Sequence, residues 1–570
     1  MTGNRAWLPG LRVAAGYQRR WLRHDVTAGL VLTALLIPAG IGYAEVAGLP
    51  PITGLYASIV PLLVYALVGP SRILVLGPDS SLAPIIAAAV LPLAAGDVER
   101  AVALAGLLAI LMGFILVLGG IFRLGFVTDL LSKPIRTGYL NGIALVVVAG
   151  QIPKLLGFSV DGDTLVDDLR GTVDGIVDGA VDPGPAVIGM MSLAVIIGLR
   201  VAGRGASGVL VAVVGSMVAV AVLGWQDSIP VVGALPQGLP APALDGLAWA
   251  DVRSLIGPAL GIALIAFADT GVLSRVFAAR HGETVSGSVE MRAIGLSNVA
   301  SGLFGGFPVS ASSSRTPVAE QAGARTQLTG VVGALAIIGF VLVAPGLTDL
   351  LPSSALAAVV IVAASSLVDV RTVIVLLRVD PVEGVLSVAA FLGVAFVGVL
   401  EGIVIAIGLS LVAFVDQAWR PYRAELGRIE GVRGYHDLVR NPHGHRVDGI
   451  VIVRFDAPLF FANGGMFGDF VHASIDRGDQ PVRYVILAAE PITRIDSTAL
   501  DEFLQLDDQL AAAGIELVIA EMKGPVRDRL LRYGLGDRFG PERFAPTVGA
   551  AVDKILGHER DDIGTPSDRS

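Results

Sequence analysis

The chain has 570 residues and no cysteine. That excludes disulfides, thiolate metal sites and cysteine nucleophiles. Charge is also scarce. Only 16% of residues are Asp, Glu, Lys or Arg, against roughly 25% in an ordinary soluble domain. No Gly-x-x-x-x-Gly-Lys-[Ser/Thr] loop is present, so ATP-driven work within this chain has nothing to stand on. No hydrolase, kinase or metal-ligand constellation is found, and His436, His443 and His445 read as a solvated loop. The net charge of -9 carries no basic cluster. The expectation is a protein that is not an enzyme, with no cofactor, no metal and no nucleic-acid partner. The N-terminus has no signal-peptide pattern.

Apolar sequence is what the chain has in quantity. It is 54% hydrophobic, with a mean hydropathy of +0.72. Apolar runs recur from Val26 to Phe414, many near the ~20 residues that cross a bilayer. About fourteen spans are expected, at 26–44, 52–68, 78–91, 101–120, 138–152, 184–201, 208–224, 255–273, 288–303, 311–320, 328–345, 354–368, 383–398 and 401–417. The third and tenth are too short to cross ~30 Å at ~1.5 Å per residue. After Trp419 charges become frequent, as in a soluble domain. The expected organisation is an N-terminal segment 1–25, a transmembrane transport domain 26–418, a linker 419–447, a soluble domain 448–557 and a disordered tail 558–570.

Lys and Arg of the short loops set an orientation. Arg12, Arg19, Arg20, Arg23, Arg72, Arg123, Lys133, Arg136, Arg200, Arg204, Arg275, Arg280, Arg371, Arg378, Arg420 and Arg423 all fall on one side. An acidic loop with Asp161, Asp163, Asp167, Asp168, Asp174, Asp178 and Asp182 falls on the other. Both termini are then cytoplasmic. A repeat is also visible. Gly113-Phe114-Ile115-Leu116-Val117 and Thr128-Asp129-Leu130-Leu131-Ser132 return as Gly339-Phe340-Val341-Leu342-Val343 and Thr348-Asp349-Leu350-Leu351-Pro352. It sets span four over span eleven and span three over span ten. Seven spans per repeat invert one half against the other, the pattern of secondary transporters with a midplane site between broken helices.

The chemistry-bearing residues sit at the two breaks. The first reads Gly77-Pro78-Asp79-Ser80-Ser81-Leu82-Ala83-Pro84. Pro78 suits a first helical turn, and Ser80 and Ser81 can donate to an anion. Asp79 is either a helix cap or a carrier of a proton or cation. The second break, Gly305 to Arg315, supplies Ser310, Ser312, Ser313 and Ser314 before Arg315. Irregular backbone at membrane depth is tolerated where it lines a cavity or is buried, and a restarting helix aims N–H groups at an anion. Asp269, deep in span eight, is an intramembrane acid. It could balance Arg315, bind a coupling cation or carry a proton. Tyr43 lies on a first span kinked by Pro38, beside Ala39 and Gly40.

The soluble domain alternates strand-like 449–455, 484–489 and 515–520 with amphipathic helices near 465–476, 498–513 and 524–533, which argues a small α/β layer. Asp496 or Ser497 is a natural N-cap, and Ser497 could also accept a phosphate stabilised by the helix N-terminus.

These residues resemble the SulP anion-transporter family, solute carrier family twenty-six, over roughly 8–557. The resemblance rests on Asp25-Val26-Thr27-Ala28-Gly29-Leu30 with Ile37-Pro38-Ala39-Gly40-Ile41-Gly42-Tyr43-Ala44, and on Pro50-Pro51-Ile52-Thr53-Gly54-Leu55-Tyr56-Ala57-Ser58. It rests also on the stretch Asn298 to Arg315 and on a C-terminal part similar to the STAS fold, with Asp496, Ser497 and Thr498. The resemblance implies a polytopic α-helical membrane protein of fourteen spans. These form a 7+7 inverted repeat with two broken half-helices in core and gate domains, joined to a cytoplasmic α/β STAS domain. It implies an elevator-like motion, a homodimer and an anion site at Ala39, Tyr43, Asp79, Ser80, Ser81, Ser312, Ser313, Ser314 and Arg315, with Asp269 and Asp79 toward a coupling ion. Two departures bear on this. Ala39 stands where many members have Gln. Leu273 stands where sodium-coupled bicarbonate members pair their acid with a hydroxyl. The expected activity is sulfate:proton symport at the plasma membrane, a multi-pass protein embedded in lipid. Bicarbonate or dicarboxylate symport, chloride or anion exchange, and sodium coupling stay open as alternatives, with a membrane-anchored STAS signalling scaffold as the rival from another class.

Overall fold

The breaks in the apolar pattern become places where two distant strands meet. The structure is a computed structural model. It describes residues 9–10, 16–124, 132–160, 164–203, 205–242, 244–280, 283–312, 315–478 and 480–557. It divides into two units, Met1–Ser410 and Leu411–Ser570.

The first unit is helical. Its helices are α1 (Leu22–Val46), α2 (Pro51–Val68), α3 (Ala83–Ala94), α4 (Val98–Ile121), α5 (Lys133–Leu155), α6 (Leu165–Val177), α7 (Pro183–Val201), α8 (Gly205–Leu223), α9 (Trp249–Arg280), α10 (Gly287–Leu303) and α11 (Arg315–Gln321). There follow α12 (Leu328–Val343), α13 (Ser353–Ser365), α14 (Val370–Val379), α15 (Pro381–Leu392) and α16 (Val399–Trp419). Among the described residues seven stretches are long and apolar enough to cross a membrane by length and composition, and shorter apolar helices such as 83–94 and 328–343 lie between them. Each expected span has its helix, and the fourteen form two inverted halves of seven, each with a broken helix.

Bare backbone lets these helices approach closely, as membrane bundles require. A Cβ on Gly54 of α2 would lie 1.9 Å from the Gly40 carbonyl oxygen of α1. Gly113 of α4 and Gly295 of α10 meet in the same way, a Cβ added to either falling 2.6 Å from the other's carbonyl oxygen. A packed group forms in which α4 runs along α10 and α9, and α1 along α2 and α12. In a second group α5 packs along α13 and α15, and α7 along α8 and α13.

Strands β1 (Leu76–Gly77) and β2 (Ser310–Ala311) pair antiparallel, Leu76 opposite Ala311 and Gly77 opposite Ser310. This corrects the sequence expectation at both breaks. The half-helices start at Ala83 and Arg315, not at 78 and 311: Ser310 and Ala311 are used in the ladder, and a turn closed by Asp79 on Ser81 precedes Ala83. Pro78 therefore precedes its helix, and Pro84 takes the first-turn position. The span expected at 138–152 begins at Lys133, with Pro134 in its first turn. The acidic stretch expected as a loop contains α6, whose cap Thr164 accepts from the Asp167 N–H at 3.2 Å.

The second unit is a six-stranded sheet of order β4-β3-β5-β6-β7-β8. Its strands are β3 (Arg423–Gly427), β4 (His436–Asp437), β5 (Ile450–Phe455), β6 (Tyr484–Ala488), β7 (Glu516–Ala520) and β8 (Phe544–Ala545). β5 to β8 run parallel and β3 is antiparallel to both neighbours. Helices α17 (Gly464–Asp476), α18 (Ser497–Ala512), α19 (Gly524–Arg532) and α20 (Val548–Leu556) accompany it. One apolar layer joins Val451, Val453, Phe467, Leu487, Leu500, Phe503 and Ile519. β3 and β4 fall inside 419–447, the stretch expected as a linker, and contribute to this sheet. The expected tail 558–570 lies outside the described residues.

Candidate functional site

The β1–β2 ladder ties the two breaks together, and its flanks extend the tie. The Ser312 N–H donates to the Val75 carbonyl at 3.0 Å. The Val75 N–H donates to the Thr316 hydroxyl at 3.2 Å. The Ala311 N–H donates to the Thr270 hydroxyl of α9 at 3.2 Å. Asn298 of α10 holds the approach to β2, accepting from the Val309 N–H at 2.8 Å and donating to the Val309 carbonyl at 3.0 Å. Every polar backbone group used here is one that a broken helix would otherwise leave unpaired.

Arg315 is buried, with 4% of its surface exposed. Its Nη2 donates to the carbonyl of Pro78, and its guanidinium lies 5.9 Å from the centroid of the Tyr43 ring. Nε and Nη1 have no partner among the described residues. A guanidinium has no neutral form to retreat to, so buried donors call for an acceptor. Tyr43 comes from α1 and lies beside Ser80. Ser80, Ser81 and Ser312 are buried, and the Ser312 hydroxyl accepts the Arg315 N–H at 3.2 Å. Ser313 and Ser314 lie outside the described residues. Ala39 packs against the apolar cluster that includes Tyr43 and Phe307.

Asp79 is not the cap of the half-helix, whose N-cap position is Leu82; it closes the turn before it. Oδ1 accepts from the Ser81 N–H at 3.0 Å and the Ser81 hydroxyl at 2.8 Å, an Asx-type turn that satisfies its own backbone. Asp269 does not reach Arg315 as an ion pair. Its Oδ1 lies 3.6 Å from Nη1 of Arg136 on α5, with side chains 23% and 34% exposed. Arg136, a loop cation by its place in the sequence, belongs to α5, one turn before Tyr139. The helix-start sequence Ser132-Lys133-Pro134 carries the signal that moves Arg136 into the helix, where the expected span 138–152 already holds Tyr139. A cavity of about 1010 Å³ in the helical unit is lined by apolar groups such as Ile115, Phe122, Leu264 and Phe267, and holds none of these polar residues. In the second unit Ser497 is exposed at the first turn of α18, and Asp496 caps that helix through the Ala499 N–H at 2.9 Å.

An interior cation with free donors, ringed by buried hydroxyls between two interrupted helices, suits a compact oxyanion. The fold and site thus define a polytopic membrane carrier of secondary-transporter build. Residues 22–390 match the family model described as "Sulfate permease family", and residues 441–551 match "STAS domain". The chain is 40% identical to "Probable sulfate transporter Rv1739c" of Mycobacterium tuberculosis over 548 residues, covering 96% of this chain and 97% of that one. It is 30% identical to "Sulfate transporter 4.1, chloroplastic" of Arabidopsis thaliana, covering 94% and 81%. The fold is similar to murine solute carrier 26 family member A9, described as an anion transporter in the inward-facing state, with a TM-score of 0.87 at 20% identity over 97% and 94% of the two chains. It is also similar to the transmembrane domain of the cyanobacterial bicarbonate transporter BicA, with a TM-score of 0.59 at 22% identity over 70% and 98%. The chain belongs to the sulfate permease family and carries a STAS domain.

Proposed function

We propose that this chain is a sulfate:proton symporter. It works by an elevator-like motion of the group carrying β1, β2 and α9 against the group carrying α5 and α13. The observation that carries the reading is the buried guanidinium of Arg315, with two nitrogens free of partners among the described residues. Ser80, Ser81, Tyr43 and Ser312 surround the same break, and Ser313 and Ser314 belong to the proposed set through the sequence. A dianion is stabilised there by charge-assisted hydrogen bonds. The curated relatives named as sulfate transporters support sulfate over the alternatives.

Asp269 is the proposed proton carrier. Its partly exposed side chain supports that role. Leu273 offers no hydroxyl one turn on, and Arg136 already faces the carboxylate, which disfavours sodium. The Lys/Arg bias of the short loops supports cytoplasmic termini, and the plasma membrane is the proposed location. Phosphorylation at Ser497 is the proposed input to the STAS domain. Uptake of labelled sulfate, bicarbonate, chloride and dicarboxylates into proteoliposomes tests the substrate. Sulfate accumulation driven by an inward proton gradient is expected, with Asp269→Asn abolishing gradient-driven accumulation. Transport of another anion in preference to sulfate would overturn the substrate, and accumulation unchanged in Asp269→Asn would return that acid to a structural role.

A further inference from the structure

The Arg136–Asp269 pair bridges two helices that belong to different packed groups. α5 packs along α13 and α15, and α9 along α4 and α10. The contact is single, 3.6 Å from Nη1 to Oδ1, and both side chains are partly exposed. A single contact of that length between partly exposed side chains is weak and separable. A buried polar atom sits beside it. Tyr139, three residues on from Arg136 on the same face of α5, is 1% exposed, and its hydroxyl has no partner among the described residues. That hydroxyl is within Coulombic reach of Asp269, Arg136 and Asp79.

The charges facing Asp269 can be taken element by element. Arg136 and Tyr139 face it from α5, and Asp79 from the turn before α3. Glu290 of α10, which also packs on α9, is turned instead to Tyr65, Ser71 and Ser274. Arg315 stands beyond Asp79, against Tyr43. Two cations and two carboxylates cancel, so a dianion meets a site of no net charge. Neutralising Asp269 leaves one positive charge in excess and removes the only ion-pair partner that Arg136 has among the described residues.

We infer that Arg136 is the resident counter-ion of Asp269, and that a proton on Asp269 releases its guanidinium, with the Tyr139 hydroxyl beside it, to the bound anion. The inference rests on the proposed role of Asp269. The proton moves from water to the Asp269 carboxylate, no covalent bond other than that O–H forms or breaks, and the positive charge stays on Arg136. Proton binding then raises anion affinity, and anion binding raises proton affinity by the same factor. Arg136 is a positioning residue toward Asp269 and an anion-binding residue once released.

The test uses the full chain in detergent and in proteoliposomes, with labelled inorganic sulfate as the probe. Equilibrium binding at neutral pH should tighten at least threefold in Asp269→Asn, although gradient-driven accumulation is lost. Adding Arg136→Gln to Asp269→Asn should weaken binding at least tenfold from that variant, and Arg136→Lys in its place should weaken it less. Equal sulfate binding by Asp269→Asn with and without Arg136→Gln would overturn the inference. Because the native chain has no cysteine, Arg136→Cys provides a second arm. Modification with a cationic thiosulfonate should restore most of the lost binding, whereas an anionic one should not. The pair itself is read without any ligand, from melting temperatures of the two single neutral variants and the double. Non-additive shifts are expected, and strictly additive shifts would overturn the inference even if the wild type proved to carry an anion other than sulfate. A wild type that binds no sulfate while the shifts are non-additive would instead count against the proposed substrate alone.

Discussion

Nη2 of Arg315 donates to the carbonyl of Pro78 across 237 positions of sequence. One contact joins the cation of the second break to the backbone of the first. It orients a planar fork so that Nε and Nη1 are left for another acceptor. Arg315→Gln should reduce sulfate uptake at least a hundredfold. Arg315→Lys should recover little, because a single ammonium cannot hold Pro78 and present two further donors in a plane. Uptake of labelled sulfate decides it, and near-normal transport by Arg315→Lys would mean that only the charge matters.

Asp79 gives a sharper choice. Its Oδ1 accepts two hydrogen bonds from Ser81, a task an amide oxygen can also perform. Asp79→Asn should keep sulfate uptake within about threefold of the native rate, whereas Asp79→Ala, which loses the turn, should fall further at similar expression. A side-chain hydrogen bond of this kind is worth about 1 kcal/mol. Loss of proton coupling in Asp79→Asn, with binding intact, would assign Asp79 the ion-carrying role instead.

Asp25 is fully buried and holds the start of α12 from α1. It accepts from the Arg325 N–H at 2.7 Å, the Thr326 N–H at 3.0 Å and the Thr326 hydroxyl at 2.8 Å, with Thr329 and Tyr17 at 3.1 and 3.2 Å. Asp25→Ala strands several buried donors at once, at a cost of about 3 kcal/mol. Thermal unfolding in detergent should show a clear loss, and Asp25→Asn a smaller one. A melting temperature unchanged in Asp25→Ala would contradict this anchoring role.

The helices were legible because bilayer thickness and apolar run length fix each other, and the breaks because Gly, Pro and Ser interrupt those runs. The helix starts at Ala83 and Arg315 were not legible. Arg315 is delayed by the pairing of Leu76 with Ala311, a contact between residues that no local pattern links, and Ala83 by the turn that Asp79 closes on Ser81. The strands inside 419–447 escaped for the same reason, since β3 carries charges at Arg423 and Glu425 and finds its place only beside β5. α6 had a local signature, Thr164 three residues before Asp167, masked by the density of acids around it. Arg136 illustrates the ambiguity of a loop cation. One turn of extra helix at Lys133 turns a topological marker into a partner of Asp269.

The central claim is that sulfate and protons move together through this site. Proteoliposomes carrying the full chain and a lumenal pH dye, held at zero membrane potential, test it when sulfate is added outside with no imposed proton gradient. The account predicts acidification of the lumen that tracks sulfate entry and disappears in Asp269→Asn. Sulfate entry at the native rate with no change in lumenal pH would contradict it.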